Sequence, residues 1–154
     1  MNDVPAATDT QAELYEIEQI KNLLARFYLY GDTQQWDEFA ALLTDDVEII
    51  IDAAPRPNPD ADGAVRIVGR DAFIGGMQQL VDGVKTAHQL YLPNITIIDE
   101  AHAKGIWAMH DYVKTPVVIF NGWGHLHHEY RKVDGEWKIS KGHTTRLIVD
   151  EEWL

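Results

Sequence analysis

Asp32 stands in the stretch RFYLYGDTQQWD, with Tyr28 one helical turn before it and Trp36 just after it. A carboxylate set beside tyrosine and tryptophan is a group whose proton affinity the surroundings can move, which is what acid–base chemistry requires. Aspartate is also a favoured helix N-cap, and Asp32 lies where one helical pattern ends and the next begins. The residues leave both readings open. His88, in KTAHQLYLP, is a single histidine among apolar neighbours and fits a packed core as readily as a site. His125-x-His127-His128 is the third candidate, because alternate strand residues share a face about 7 Å apart and two imidazoles so placed can share an ion. Glu129 is the one acid close to that trio, so the expectation is a site without metal or cofactor.

The elements around these groups must bring them together. Ile17, Ile20, Leu24, Phe27 and Gly31 recur at steps of three and four, which predicts a helix over Glu13 to Tyr30 with one stripe against a core. Asp32 falls at the inner end of that stripe. Trp36 to Leu43 reads as a short second helix and VEIIID, from Val47, as the first strand. The proline-rich run from Ala53 to Ala64 predicts a long loop placed to lie over a pocket mouth. Val65 to Val68 forms a short strand, and a third helix runs from Gly69 to about Val81 with Phe73, Met77 and Leu80 inward. Four β-branched and aromatic runs follow: Thr86 to Ile98, Ala103 to Val113, Val117 to Arg131, and Glu136 to Val149. Helices first and antiparallel strands afterwards make an α+β fold, with helices on the concave face of a curved sheet and a cavity between.

Alternation sorts the strand residues by face. Trp107, Met109, Asp111 and Val113 lie on one side of their strand and Ile106, Ala108, His110 and Tyr112 on the other. Only one of Asp111 and His110 faces inward, and the pattern does not choose. Leu126, His128 and Tyr130 share a face, while His125, His127, Glu129 and Arg131 share the opposite one.

Bulk properties exclude several classes of function. The 154 residues suit a single domain over 13–150, with a flexible start at 1–12 and a tail at 151–154. With no Cys there are no disulfides, thiolate nucleophiles or cysteine-ligated zinc. A formal charge of -12, from 13 basic against 25 acidic residues, argues against nucleic acid. No apolar run approaches the about 20 residues of a membrane span, and MNDVPAATDT lacks the character of a signal peptide, so a soluble cytoplasmic protein is expected. There is no GxGxxG, no phosphate loop and no GxSxG; Ser140 is the sole serine.

Four segments in order carry a family resemblance: FYLYGDTQQWDEFAALLTDDV, VGRDAFIGGM, TAHQLYLPNITI and YRKVDGEWKI. Together they resemble the SnoaL-like group of the nuclear transport factor 2 superfamily, from about Glu13 to Val149. The resemblance implies a cone, a curved and mostly antiparallel sheet wrapped around helices with an internal pocket. Among the group's dehydratases, those acting on scytalone and on bile acids are the most similar in site residues. Asp32 and His88 match their catalytic dyad, and GIWAMHD is similar to a strand of the bile acid enzymes. That match places Asp111 in the pocket with Trp107 and Met109 inward, and Arg146 matches a pocket arginine. Phe27 and Ile51 stand where those enzymes have tyrosines, which leaves Tyr28 or Tyr30 to substitute.

The chemistry of such a set follows from its members. Neutral His88 would take a carbon-bound proton beside a carbonyl, and Asp32 would fix its tautomer and stabilise the imidazolium. Arg146 or a tyrosine hydroxyl would steady the enolate oxygen, and His88 or a protonated Asp111 would supply the acid for a departing hydroxide. The expectation is a cofactor-free lyase or isomerase acting on a small apolar cyclic substrate, steroid-, polyketide- or aromatic-like. Tyr28, Phe27, Trp107, Met109, Leu126 and His128 would line its pocket. The alternative is a non-catalytic ligand-binding or assembly subunit of the same fold. A homo-oligomer is expected from the apolar faces that a curved sheet leaves exposed, and the family resemblance implies a dimer or a trimer.

Overall fold

The β-branched runs of the second half are strands, and they pair side by side. The computed structural model describes residues 7–53 and 64–154. In chain order these form α1 (Ala7–Asp32), α2 (Trp36–Ala40), β1 (Leu43–Asp52), β2 (Ala64–Val68), α3 (Arg70–Leu80), β3 (Lys85–Ile97), β4 (His102–Lys114), β5 (Val118–Val133) and β6 (Glu136–Trp153). The strands make one curved six-stranded sheet in the order β2-β1-β6-β5-β4-β3, antiparallel throughout except where β1 runs parallel to β6. This is the α+β arrangement expected from the sequence, with three helices packed against the sheet.

The helical stripe does what its period requires. Ile20, Leu24 and Phe27, joined by Leu23, are buried against Leu43, Val47, Leu126, Tyr130 and Ile139 of the sheet. The far end of α1 is pinned to the β5–β6 hairpin, where Lys132 Nζ and Trp137 Nε1 both donate to the Glu16 carboxylate at 2.7 and 2.6 Å. That hairpin turns at Asp134-Gly135, both with positive φ, as the Asp-Gly signal requires.

Several boundaries differ from those read in the sequence. α1 begins at Ala7 rather than Glu13. α2 stops after five residues instead of reaching Leu43, because the backbone N–H of Ile139 takes the Leu42 carbonyl at 2.9 Å and Leu43 pairs with Ile139. Sheet pairing overrides helical pattern there, so β1 starts at Leu43, before Val47. Leu80, the last residue of α3, lines the cavity but is 69% exposed, at its rim rather than in the core. The final residues are no separate tail, since Asp150 to Trp153 pair with Asn121 to Val118 as the end of β6. Most of the expected Ala53–Ala64 loop lies outside the described residues. No described helix is long and apolar enough to cross a membrane.

Candidate active site

α1 ends where Gln34 turns into the left-handed region at φ 58° and the N–H of Gln35 donates to the Tyr30 carbonyl at 2.9 Å. The Gln34 side-chain amide then reaches the carbonyls of Val81 and Val84, both at 3.4 Å, and ties the helix end to the turn that enters β3. Thr86 and His88, two residues apart on β3, therefore share the face that meets Asp32. β3 is an edge strand, whose outward N–H groups lack a strand partner. Asp32 supplies one. The His88 N–H donates to Oδ2 at 2.8 Å, the Thr86 hydroxyl donates to Oδ1 at 2.8 Å, and His88 Nδ1 lies 2.6 Å from Oδ1.

Burial pushes the Asp32 carboxyl up, but the bonds from the His88 ring, the His88 backbone and Thr86 outweigh it and hold the group below the ordinary carboxylate value. Asp32 is an ionised acceptor and not a helix cap. The N-cap of α2 is Gln35, which makes no side-chain capping bond. A carboxylate on Nδ1 keeps the proton there and leaves Nε2 as a base. His88 Nε2 has no hydrogen-bond partner among the described residues, and the ring forms part of the wall of a cavity of about 310 Å³.

That cavity lies between the helices and the sheet and is mostly apolar. Phe27, Trp36, Phe39, Ile49, Ile51, Phe73, Met77, Met109, Val113 and Phe120 line it, with Tyr28, Thr86, His88, Asp111, Thr115, His128, Thr144 and Arg146 as the polar exceptions. The Tyr28 ring lies over His88 at 4.7 Å. Burial and the neighbouring charges of Asp111, Tyr130 and Asp32 push the Tyr28 phenol upward, so it stays a hydrogen-bond donor.

Asp111 faces inward and His110 outward, which decides the choice the sequence left open. Asp111 is buried, and both its oxygens accept from Arg146, at 2.6 and 2.9 Å. The guanidinium also donates to the Asp52 carbonyl at 3.1 Å and lies over the Phe120 ring at 5.3 Å. Two local features make room for this pair. Gly122 lies directly opposite Asp111, and a Cβ there would collide with Arg146 Nη1 and Asp111 Oδ1. The second is a bulge. Strict alternation from Ile139 would send Lys141, His143 and Thr145 inward. On β5, Tyr130 and Glu129 are consecutive, yet they face Ile139 and Lys141, so Ser140 is an extra residue. The bulge resets β6 and turns Gly142, Thr144 and Arg146 to the cavity.

The remaining expectations divide. Tyr28, Phe27, Met109 and His128 line the cavity, whereas Trp107 and Leu126 do not. Both share the inward face but belong to the core further along their strands, with the Trp107 N–H donating to the Tyr130 hydroxyl at 3.0 Å. His125 and His127 point to the opposite surface, where His127 faces His143 across the strands at 6.3 Å between rings. Burial, then the charges of His143 and His125, push the His127 ring down. No trio of His, Asp or Glu among the described residues is placed to hold a metal ion. Thr86 and Gly122 are among the site residues that sequence reading missed. Thr86 shares the face of His88 at two residues' distance, and Gly122 is the register partner of Asp111.

Comparison with known proteins adds the family. The model of the SnoaL-like domain matches residues 12–143, and the chain belongs to that family. No curated protein matches it. Among solved structures, a provisionally assigned scytalone dehydratase from Novosphingobium aromaticivorans superposes with TM-score 0.75 at 20% identity, over 92% of this chain and 90% of the other. A hexachlorocyclohexane dehydrochlorinase, LinA type 2, superposes with TM-score 0.75 at 17% identity, over 91% and 90%. A Mycobacterium tuberculosis protein of unknown function gives 0.73 at 23% identity, over 92% and 76%. At these identities the likeness is one of fold.

Proposed function

We propose that this SnoaL-like protein is a cofactor-free lyase or isomerase that removes a proton α or vinylogous to a carbonyl on a small, apolar cyclic substrate. One observation carries the reading: the Asp32 carboxylate at 2.6 Å from His88 Nδ1, with the other ring nitrogen free beside an apolar cavity. In this arrangement His88 Nε2 accepts the carbon-bound proton. Asp32 holds the tautomer and balances the imidazolium that forms. The enolate oxygen needs a donor, and Tyr28 fits that need better than Arg146, whose guanidinium is already engaged by Asp111. With a leaving hydroxyl at the β carbon, the imidazolium returns its proton and water departs. Without one, the proton returns to a different carbon and the outcome is isomerisation.

Two of the solved structures with this fold carry the names of eliminating enzymes, a scytalone dehydratase and a dehydrochlorinase, which agrees with the elimination branch. A non-catalytic binding or assembly subunit would have no need to keep the Asp32 and His88 side chains together at an open cavity. The test is solvent deuterium exchange into the α carbon of a cyclic ketone such as α-tetralone, followed by NMR. The native protein should catalyse exchange and His88→Gln should lose it by about 10²- to 10⁴-fold. Exchange at native rate in His88→Gln would sink the proposal.

A further inference from the structure

Phe27 and Tyr28 are consecutive on α1, and their rings meet edge to face at 5.1 Å. His88 lies over Tyr28 at 4.7 Å, and His128 stands edge-on to Phe27 at 6.4 Å. Both histidines line the cavity, one on each flank of the aromatic pair. Their bonding differs sharply. His88 is held by Asp32 at 2.6 Å, whereas neither ring nitrogen of His128 has a hydrogen bond among the described residues, and its Nδ1 is wholly buried.

A buried polar atom without a partner is costly, and a leucine or phenylalanine would fill the same volume without that cost. On β6 the register partner of His128 leaves one ring nitrogen uncapped: it is Gly142, and a Cβ there would stand 3.0 Å from His128 Nε2. We propose that His128 is the second polar anchor of the cavity, a hydrogen-bonding site for an uncharged oxygen, hydroxyl or carbonyl, on the part of the substrate remote from His88. This rests on the cavity being the substrate site.

The charge of the cavity narrows the class. Burial keeps the His128 ring neutral, pushed down to about 3, and among the described residues the one guanidinium in the wall is already paired with both oxygens of Asp111. Among those residues a substrate carboxylate would therefore find no unpaired cation. A neutral imidazole offers one donor and one acceptor, which suits a phenol, an alcohol or a ketone. The substrate class is a neutral ring system oxygenated at both ends, with one oxygen activating carbon for His88 and the other bound by His128.

The test compares two probes, α-tetralone and its phenolic derivative hydroxylated para to the carbonyl, with binding followed by calorimetry. The native protein should bind the phenolic ketone at least about five-fold more tightly. His128→Leu should bind both alike and melt no lower than the native protein, and His128→Phe repeats the comparison if the leucine variant does not fold. Equal affinities in the native protein, binding of neither ketone, or a preference that survives both substitutions overturns the proposal. Deuterium exchange reports separately on His88. Exchange without a preference leaves proton abstraction standing and removes the anchor, and a preference without exchange does the reverse.

Discussion

Asp32 and Asp111 each hold a basic side chain at 2.6 Å beside the same cavity, Asp32 the ring of His88 and Asp111 the guanidinium of Arg146. The first pair is partly open, with side chains 21% and 23% exposed; the second is sealed, at 7% and 5%. The open pair keeps a nitrogen unbonded and can pass a proton to whatever enters. In the sealed pair a guanidinium, which keeps its protons in proteins, spends its donors on Asp111 and the Asp52 carbonyl. Two similar contacts thus offer different chemistry. What separates them is whether the base can change its charge and whether its other face is free.

The largest effect expected from this contrast is on rate. Asp32→Asn removes the charge that balances the imidazolium and should slow deuterium exchange by about 10²-fold or more, with a modest fall in melting temperature because the carboxylate also ties β3 to α1. The sealed pair should behave in the opposite way. Asp111→Ala leaves a cation stranded in the wall and should cost about 3–5 kcal/mol in urea unfolding, whereas Asp111→Leu combined with Arg146→Met should cost much less. If the single and double substitutions are equally damaging, the pair is not acting as a unit. Gly122→Ala is the milder way to break it. The added methyl must push Arg146 and Asp111 apart, at about 1–3 kcal/mol.

The effect smallest per step is the pH dependence of stability, which accrues gradually over several pH units. His128 is held neutral down to about 3 in the folded protein against an ordinary 6.5 in the unfolded chain. Between these values the unfolded chain carries more protons, so stability is full above 6.5 and falls as the pH drops, by up to about 1.4 kcal/mol per unit. Asp32, also held low, adds a loss in the same direction, confined to pH below its ordinary 3.8. Urea unfolding from pH 7 to pH 4 should show the first slope, and His128→Leu should remove most of it.

How much of this was legible depends on the range of the interaction. The stripe of α1 and the four long strands are local patterns, and each stands where the sequence puts it. Asp32 and His88 could be nominated as residue types, but the contact that joins them spans 56 positions and only the family resemblance linked them. The family resemblance put Trp107 on its correct face and alternation grouped Leu126 with His128, but neither says how far along the strand the cavity extends, so both were placed in a pocket they do not line. Leu43 followed a helical pattern that pairing with β6 overrode. The inward turn of Arg146 needed knowledge of a bulge, and an inserted residue leaves no periodic trace. Gly122 gives no local signal, because the two side chains it accommodates come from β4 and β6.

The bulge at Ser140 also says how this chain can vary. Leu147 is a second extra residue, since Gly124 and Trp123, consecutive on β5, face Arg146 and Ile148. At these two positions β6 can lose a residue and keep every other side chain on its present face. Between them it cannot, because removing one residue from Lys141 to Arg146 would exchange inside for outside in part of the strand. Single-residue gaps among relatives should therefore gather at 140 and 147 and be rare in the six positions between, and lineages that differ there by one residue should differ in what their cavities admit.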